Sequence, residues 1–320
     1  MNIKTLFSER GISREYIQDM DKLDGVIITN DDDFTKNLLR GYNYYPVKTA
    51  SIDVAKKIEN IAYETPIIGI GGGKALDIAK KVSYDTNKNL VLIPTAPSHD
   101  GLVSKNCSLY INNKRETIPA KYPEELKIPL YLWKNSGRLK KSGICDLISN
   151  LIALEDIKLS ERLNKESFKE EYKILSESAV DKISYDDREL SEALILSAIA
   201  MEETSRYCSG SEHIVERLLE KELNGRYLHG QLAGTGSLIS SKLYDIYSDK
   251  VHAKNNLFDI VIDKMEKFEV LDFAKEPIKN IDSECLKSLS YMRPERFTIF
   301  NVVDSKTADW GYLISELKNL

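Results

Sequence analysis

Two short runs of this 320-residue chain are apolar at every position, and they restrict its fold more than any other feature. They are Ile67–Ile70 and Leu90–Ile93. A strand that is apolar on both faces needs cover on both faces, and a parallel sheet flanked by helices provides it. A third strand is predicted at Val26–Thr29, and helical patterns over 51–63 and 74–84 alternate with the strands. This order predicts an α/β domain with a doubly wound, Rossmann-like parallel sheet.

Two further elements are predicted before residue 138. Asn112-Asn113 lies between the strand-like runs 109–111 and 114–118, which predicts a β-hairpin with an Asn-rich turn. The apolar run Leu130–Trp133 is predicted to be the last strand of the sheet.

After Ser136-Gly137 glycine becomes rare and long helical periodicities take over. They predict helices over 146–163, 167–183, 189–207, 212–223 and 231–247, followed by mostly helical sequence. We therefore predict an α/β domain over residues 1–138 and an all-α domain over residues 139–320.

Composition restricts the partners of the chain. The formal net charge is −5 with both signs mixed, which gives no basic face for nucleic acid. The apolar stretches are shorter than ten residues and the N-terminus lacks the apolar core of a signal peptide. We therefore expect no membrane insertion and a cytoplasmic protein. The four cysteines form no CxxC pair, and we expect them to be small buried apolar residues rather than partners in disulfides.

The first candidate binding segment is Gly71-Gly72-Gly73, which follows a predicted strand and opens a helix. Glycines let backbone N–H groups approach a pyrophosphate, and a helix N-terminus adds partial positive charge. The spacing is not GxGxxG, and Ala75 after Lys74 excludes a Walker loop. Asp77 could cap the loop or bind the ribose or nicotinamide side, whereas Lys74 and Lys80 are expected to be solvated. A tight turn without a ligand is the alternative.

The second candidate segment, residues 94–101, reads Pro-Thr-Ala-Pro-Ser-His-Asp-Gly and follows another predicted strand. Loops beyond the carboxyl ends of parallel strands are the usual ligand sites of α/β sheets. The hydroxyls of Thr95 and Ser98 suit phosphate or ribose. Asp100 could orient the nicotinamide amide or a substrate hydroxyl. His99 could act as a base, or it could be a hydrogen-bonded structural histidine. An ordinary polar turn is the alternative.

The third candidate set is scattered along the second half of the chain. Asp146, His213 and His229 each lie near a predicted helix start, among small residues. Two histidine nitrogens and one carboxylate, with a fourth position open, form a catalytic zinc pattern. Spacing alone does not prove a site, because an N-cap aspartate and two capped or buried histidines would account for the same contexts.

The choice of dinucleotide depends on residues 30–33, Asn-Asp-Asp-Asp, which follow the strand at Val26–Thr29. Carboxylates there accept hydrogen bonds from ribose hydroxyls and repel a 2′-phosphate, which favours NAD over NADP. A solvated acidic loop is the alternative.

With their flanking residues, these segments resemble the glycerol-1-phosphate dehydrogenase family over about residues 60–245. The segments that carry the resemblance are Gly71–Lys80, Pro94–Gly101 with Ser104, Cys145–Asn150, Ser209–His213 and His229-Gly230. The wider superfamily includes glycerol dehydrogenase, iron-containing alcohol dehydrogenases and dehydroquinate synthase. The resemblance implies an N-terminal dinucleotide-binding domain, a helical C-terminal domain and a metal in the cleft between them.

The resemblance also implies a reaction: reversible, NAD(P)-dependent reduction of dihydroxyacetone phosphate to sn-glycerol 1-phosphate, with one zinc ion per subunit. Asp146, His213 and His229 become the metal ligands. Together with Asp100 they also form the implied catalytic set. Asp100 and Asp146 become substrate contacts, and we add Arg217 as a candidate substrate contact although it departs from the family pattern. The implied cofactor contacts are Gly71, Gly72, Gly73, Lys74, Asp77, Thr95, Ser98 and Ser104.

Other members of the superfamily define the alternatives. The chain could be a glycerol dehydrogenase or another polyol or alcohol dehydrogenase, or a non-catalytic homologue that binds nucleotide and metal. Iron or nickel could take the place of zinc. We expect a small phosphorylated triose or glycerol as the substrate, and a homo-oligomer.

Two features depart from the family pattern. The family usually has a second histidine, which contacts substrate, four residues after the one matching His213, and this chain has Arg217 there. One turn along, Arg217 lies on the same helical face, where a guanidinium could hold a substrate phosphate, alter specificity or mark lost activity. The N-terminus is also short, so the sheet is expected to lack an edge strand.

Overall fold

The computed structural model describes residues 3–20, 23–60, 65–251 and 256–320. The chain divides into two compact units, residues 1–137 and 138–320. The end of the helix predicted over 51–63 lies outside the described residues. In the described ranges, no helix combines the length and apolar character that a membrane span requires.

The first unit is built on a parallel sheet, with helices between its strands. Its elements in chain order are α1 (Ile3–Glu9), β1 (Ser13–Tyr16), β2 (Val26–Asn30), α2 (Asp33–Leu38), β3 (Tyr44–Val47), α3 (Ile52–Glu59), β4 (Ile67–Gly71), α4 (Gly73–Thr86), β5 (Leu90–Pro94), β6 (Asn106–Ile111), β7 (Lys114–Pro119), β8 (Glu125–Ile128) and α5 (Leu130–Trp133). Six strands pair in the order β1-β8-β5-β4-β2-β3, and all of these pairs are parallel. The predicted parallel α/β fold is confirmed.

The centre of the sheet is formed by the two runs that are apolar throughout. Every residue of β4 is buried, and β4 pairs directly with β5. The register sets Gly71 opposite Pro94, at the carboxyl ends of the two strands. The glycine segment and the segment 94–101 therefore leave the sheet side by side, as the parallel arrangement requires.

The hairpin prediction is confirmed, whereas two predictions about strands are wrong. β6 and β7 pair antiparallel, and positive φ angles at Asn112 and Asn113 suit a tight two-residue turn. The run Leu130–Trp133 is a short helix, because the last strand ends at Ile128 and Pro129 follows it. The N-terminus does supply an edge strand, β1, whose half-polar sequence Ser-Arg-Glu-Tyr hides it from a search for apolar runs.

Helices are the regular secondary structure of the second unit in its described residues. Its α-helices are α6 (Arg138–Arg162), α7 (Glu170–Asp181), α8 (Asp187–Ala200), α9 (Ser211–Glu222), α10 (His229–Ile246), α11 (Ser248–Val251), α12 (Leu257–Lys267), α13 (Leu271–Lys275), α14 (Leu289–Met292) and α15 (Trp310–Lys318). Short 3-10 turns cover Ser205–Cys208, Glu276–Asn280, Ser283–Ser288 and Ile299–Asn301. The largely buried α10 packs against both α6 and α9 and forms the core of the unit.

The start of α6 differs from the prediction. The helix begins at Arg138, so Asp146 lies more than two turns inside it and is not an N-cap. The helix therefore extends eight residues further towards the N-terminus than predicted, and the start of α10 packs closely against this added segment. The Ser142 hydroxyl accepts a hydrogen bond from the N–H of Gly230 at 3.1 Å, and a Cβ on Gly230 would overlap the Ser142 carbonyl.

Candidate functional site

Asp146, His213 and His229 come together although they belong to three helices, α6, α9 and α10. Asp146 Oδ1 lies 3.4 Å from Nε2 of His213 and 3.4 Å from Nε2 of His229. One ligand atom from each residue can be chosen so that all lie within 4.8 Å of one another. Two imidazole nitrogens and one carboxylate oxygen thus converge, and they fit a metal ion with an open coordination position.

Each imidazole of this triad is held from behind by a buried glutamate. Glu212 Oε1 lies 2.7 Å from Nδ1 of His213, and Glu216 Oε1 lies 2.9 Å from Nδ1 of His229. A carboxylate at Nδ1 keeps the proton there and directs the Nε2 lone pair towards the ligand position. Neither glutamate was predicted as a site residue from the sequence, although Glu212 is adjacent to His213 and Glu216 lies one turn further along α9.

The charges of the triad support a cation site. Burial raises the pKa of Asp146, but His229 and His213 outweigh it and hold that pKa well below its usual range. Burial lowers the pKa of His213, but hydrogen bonds to Asp146 and Glu212 raise it to about 9. At His229, Glu216 and Asp146 overcome burial in the same way, so its pKa lies well above the usual value. Carboxylates therefore dominate the site, which is the electrostatic condition for a divalent cation.

The start of α9 is fixed by a buried aspartate that the sequence analysis did not single out. Asp156 Oδ2 accepts a hydrogen bond of 2.5 Å from the N–H of Ser211, and its Oδ1 accepts one of 2.7 Å from the hydroxyl of Tyr244. A Cβ on Gly210 would overlap the Asp156 carboxylate, so this position requires glycine. Burial and the charge of Glu212 raise the pKa of Asp156 to about 6. The Ser-Gly-Ser-Glu-His segment is therefore shaped by packing as well as by chemistry.

The glycine loop of the first unit is tight and leads into a helix N-terminus. Gly71 has φ +133°, and a Cβ there would overlap the Asn30 side chain, whose Oδ1 accepts a 2.7 Å hydrogen bond from the N–H of Gly72. A Cβ on Gly73 would lie 2.8 Å from Nε2 of His99. The N-cap of α4 is Gly72, which supplies no side-chain cap. The first-turn N–H groups thus suit an anionic ligand such as a pyrophosphate.

The segment 94–101 lies directly against that loop. The N–H of Thr95 donates to the carbonyl of Gly71 at 3.1 Å, and Ser98 Oγ lies 4.0 Å from the position of a Cβ on Gly72. The structure therefore places these two hydroxyl-bearing residues beside the glycine loop. His99 Nδ1 accepts a 2.9 Å hydrogen bond from the N–H of Gly101, which is the structural role considered for it.

Asp100 and Ser104, which follow in the chain, are buried. Ser104 Oγ accepts a 3.1 Å hydrogen bond from the N–H of Asn106, so it also shapes the turn into β6.

The two lysines of α4 differ from each other. Lys74 is exposed, as predicted, but Lys80 is completely buried, so the prediction that it is solvated is wrong. Lys80 Nζ donates to the carbonyl of Gly101 at 2.5 Å and to Asp77 Oδ1 at 3.1 Å. Asp77 Oδ2 accepts a 3.1 Å hydrogen bond from the N–H of Ser108. Asp77, a candidate cofactor contact, thus joins α4 to the hairpin through Oδ2 and holds Lys80, which reaches the loop at Gly101, through Oδ1.

The acidic residues after β2 have partners within the first unit. Asp31 forms ion pairs with Lys36 at 2.6 Å and Lys48 at 3.5 Å. Asp32 caps α2 by accepting a 2.8 Å hydrogen bond from the N–H of Thr35. The preference for NAD therefore stays a prediction.

Comparisons with known proteins identify the family of the chain. Residues 40–128 match the family described as iron-containing alcohol dehydrogenase. A glycerol-1-phosphate dehydrogenase (NAD(P)+) from Saccharolobus islandicus is 31% identical over 278 residues, covering 81% of this chain and 76% of the relative. The protein of that name from Thermoplasma volcanium is 32% identical over 278 residues, covering 80% and 75%.

Solved structures agree on the fold. The crystal structure of a probable glycerol dehydrogenase from Sinorhizobium meliloti 1021 superposes with a TM-score of 0.67, covering 95% of each chain. The sequence identity is 15%, so this likeness concerns the fold alone.

Proposed function

The chain belongs to the glycerol-1-phosphate dehydrogenase family, within the iron-containing alcohol dehydrogenases, and from this premise we propose the reaction that it catalyses. It is an NAD(P)-dependent oxidoreductase that reduces dihydroxyacetone phosphate to sn-glycerol 1-phosphate, reversibly, with zinc as its metal. The identity of 31% over 81% of the chain supports the substrate. The observation that carries the proposal is the convergence of Asp146, His213 and His229, a donor set that can hold a metal for Lewis-acid assistance of hydride transfer to a carbonyl.

In this reaction the residues of the second unit hold the metal. Asp146 supplies a carboxylate oxygen, and His213 and His229 supply Nε2, while the two buried glutamates keep the opposite ring nitrogens protonated. A bound zinc ion supplies Lewis acidity, which stabilises the negative charge that develops on the substrate oxygen. Fixed ligands keep this charge stabilisation preorganised.

The residues of the first unit bind the dinucleotide. The α4 N-terminus and the glycine loop hold the pyrophosphate, and the hydroxyls of Thr95, Ser98 and Ser104 contribute further contacts. Asp100 accepts a hydrogen bond from a substrate hydroxyl, and Arg217 of the second unit binds the substrate phosphate. The metal identity, the preference for NAD, the residue roles and a homo-oligomeric state are all part of this proposal.

The test combines metal content with turnover. Asp146→Ala and His229→Ala are expected to lose bound metal, measured by mass spectrometry of the purified protein, together with reduction of dihydroxyacetone phosphate. Asp181→Asn, a change at an exposed position on α7, is the control and should keep both. An Asp146→Ala protein that is metal-free and fully active would contradict the metal site. A wild-type protein that reduces dihydroxyacetone and not its phosphate would contradict the substrate.

A further inference from the structure

The three helices that carry the metal triad, α6, α9 and α10, are joined a second time by one buried carboxylate. Asp156 lies on α6 and is completely buried. Its Oδ2 accepts a hydrogen bond of 2.5 Å from the N–H of Ser211, the first residue of α9. Its Oδ1 accepts one of 2.7 Å from the hydroxyl of Tyr244 on α10. The helices that supply the ligands therefore meet both at the triad and at Asp156.

Asp156 acts as the N-terminal cap of α9, although it belongs to another helix. The residue at the N-cap position of α9 is Gly210, which has no side chain that could accept from the first-turn N–H groups. Asp156 accepts from the N–H of Ser211 instead, and Glu212 accepts from the N–H of Gly210 at 2.7 Å. A negative charge at this end of a helix also stabilises the helix dipole. A side chain of α6 therefore fixes where α9 begins.

The first turn of α9 connects this cap to a metal ligand. The Glu212 oxygen that accepts from the N–H of Gly210 also lies 2.7 Å from Nδ1 of His213. Ser211 is adjacent to this glutamate and two residues before the histidine. A displaced start of α9 would therefore move the glutamate and the imidazole together. Asp156 acts on the ligand through the backbone of α9 and not by direct contact.

On α6 and α10 the carboxylate and the triad are far apart along the helix. Asp156 follows Asp146 by ten residues, about 15 Å along α6, and Tyr244 follows His229 by fifteen residues, about 22 Å along α10. One contact between two helices leaves their crossing angle free, whereas two contacts at this separation restrict it. The hydrogen bond between Tyr244 and Asp156 therefore restricts how His229 faces Asp146.

A turn near the C-terminus reaches the same carboxylate. Asp156 Oδ1 also accepts a hydrogen bond of 2.9 Å from the N–H of Ile299, which begins a 3-10 turn. These hydrogen bonds offset part of the cost of burying the carboxylate charge. An amide of the same size has one acceptor oxygen and cannot replace both carboxylate oxygens. The charged form of this side chain is therefore the one that the surrounding donors require.

We propose that Asp156 is a positioning residue for the metal centre, which sets the relative placement of α6, α9 and α10 and thereby the affinity of the triad for its metal. The inference rests on the metal site of the proposed function and adds a residue outside the ligand set. A preformed set of ligands binds more tightly than a set that must be ordered on binding, because the ordering lowers the apparent affinity.

The first experiment measures the zinc dissociation constant by competition of the zinc-loaded protein with a chelator, together with the Tm. In Asp156→Asn the amide oxygen is expected at the Oδ1 position, where two donors meet, so its NH2 group faces the N–H of Ser211. Loss of this cap should weaken zinc binding about tenfold. Tyr244→Phe removes the link to α10 alone and should weaken zinc binding about threefold.

The control is a buried hydrogen bond outside the three helices. Ser305 is completely buried, and its hydroxyl donates to the carbonyl of Lys287 at 2.8 Å. Ser305→Ala should lower the Tm and leave the zinc dissociation constant unchanged. A loss of stability without a positioning role would affect Asp156→Asn in the same way.

The visible absorption of the cobalt-loaded protein gives a second readout, because it reports the geometry of the ligands. An altered cobalt spectrum in Asp156→Asn, or a zinc affinity below that of Ser305→Ala, supports the proposal. A folded Asp156→Asn protein with the wild-type spectrum and the zinc affinity of the control would overturn it, whatever its Tm. If Asp156→Asn does not fold, the same two comparisons on Tyr244→Phe decide.

These measurements separate the inference from the proposed reaction, because they record metal binding and not turnover. A wild type that binds neither zinc nor cobalt would contradict the metal site and the positioning role together. A wild type that binds zinc but does not reduce dihydroxyacetone phosphate would contradict the reaction alone, and the comparison of Asp156→Asn with Ser305→Ala would still decide the positioning role.

Discussion

Replacing Glu216 tests whether the buried carboxylates set the affinity for metal. The Glu216 side chain is 1% exposed, and its Oε1 lies 2.9 Å from Nδ1 of His229. Such outer partners of a ligand histidine change metal affinity by about 10–100-fold, which is about 1.4–2.8 kcal/mol. Glu216→Gln keeps the volume and an acceptor oxygen but loses the charge, so we expect about tenfold weaker binding. Glu216→Leu also leaves the Nδ1–H without an acceptor, so we expect a loss nearer 100-fold.

The assay is competition for zinc with a chromophoric chelator, at constant pH. Glu220→Gln, one turn further along α9 and half-buried, is the matched control and should bind zinc like the wild type. Melting curves in excess zinc verify that each variant is folded. If both Glu216 variants fold and keep the wild-type dissociation constant, the carboxylate does not tune the imidazole and the reasoning fails.

Two further predictions concern the free energy of unfolding, measured with urea. Gly236→Ala should lower it by about 2 kcal/mol or more, because the new Cβ would overlap a backbone carbonyl of α9. Gly311→Ala in α15 is the control and should raise it by about 0.5–1 kcal/mol, because the atom nearest to the new Cβ is 3.6 Å away. Lys80→Met should lower the free energy of unfolding by about 2–4 kcal/mol, because it leaves a mostly buried carboxylate without its ammonium partner. The control Lys81→Met breaks an ion pair of the kind that contributes less than about 1 kcal/mol, and an equal loss in the two lysine variants would contradict the assignment.

The centre of the sheet could be predicted because its constraint is local. A run that is apolar at every position needs cover on both faces, and this property of β4 and β5 is visible in the sequence. The adjacency of the glycine loop and the segment 94–101 then follows from parallel pairing. The edge strand β1 could not be found in this way, because a strand with one neighbour keeps polar side chains.

The errors have a common physical cause, which is tertiary packing that the local sequence does not record. The helix that carries Asp146 begins at Arg138, before the predicted start, and Gly230 of α10 packs against the Ser142 carbonyl in that added segment. Lys80 carries a charge, yet it is buried because its ammonium group donates hydrogen bonds to the carbonyl of Gly101 and the carboxylate of Asp77. The roles of Glu212 and Glu216 could not be assigned before the positions of the two histidine rings were known.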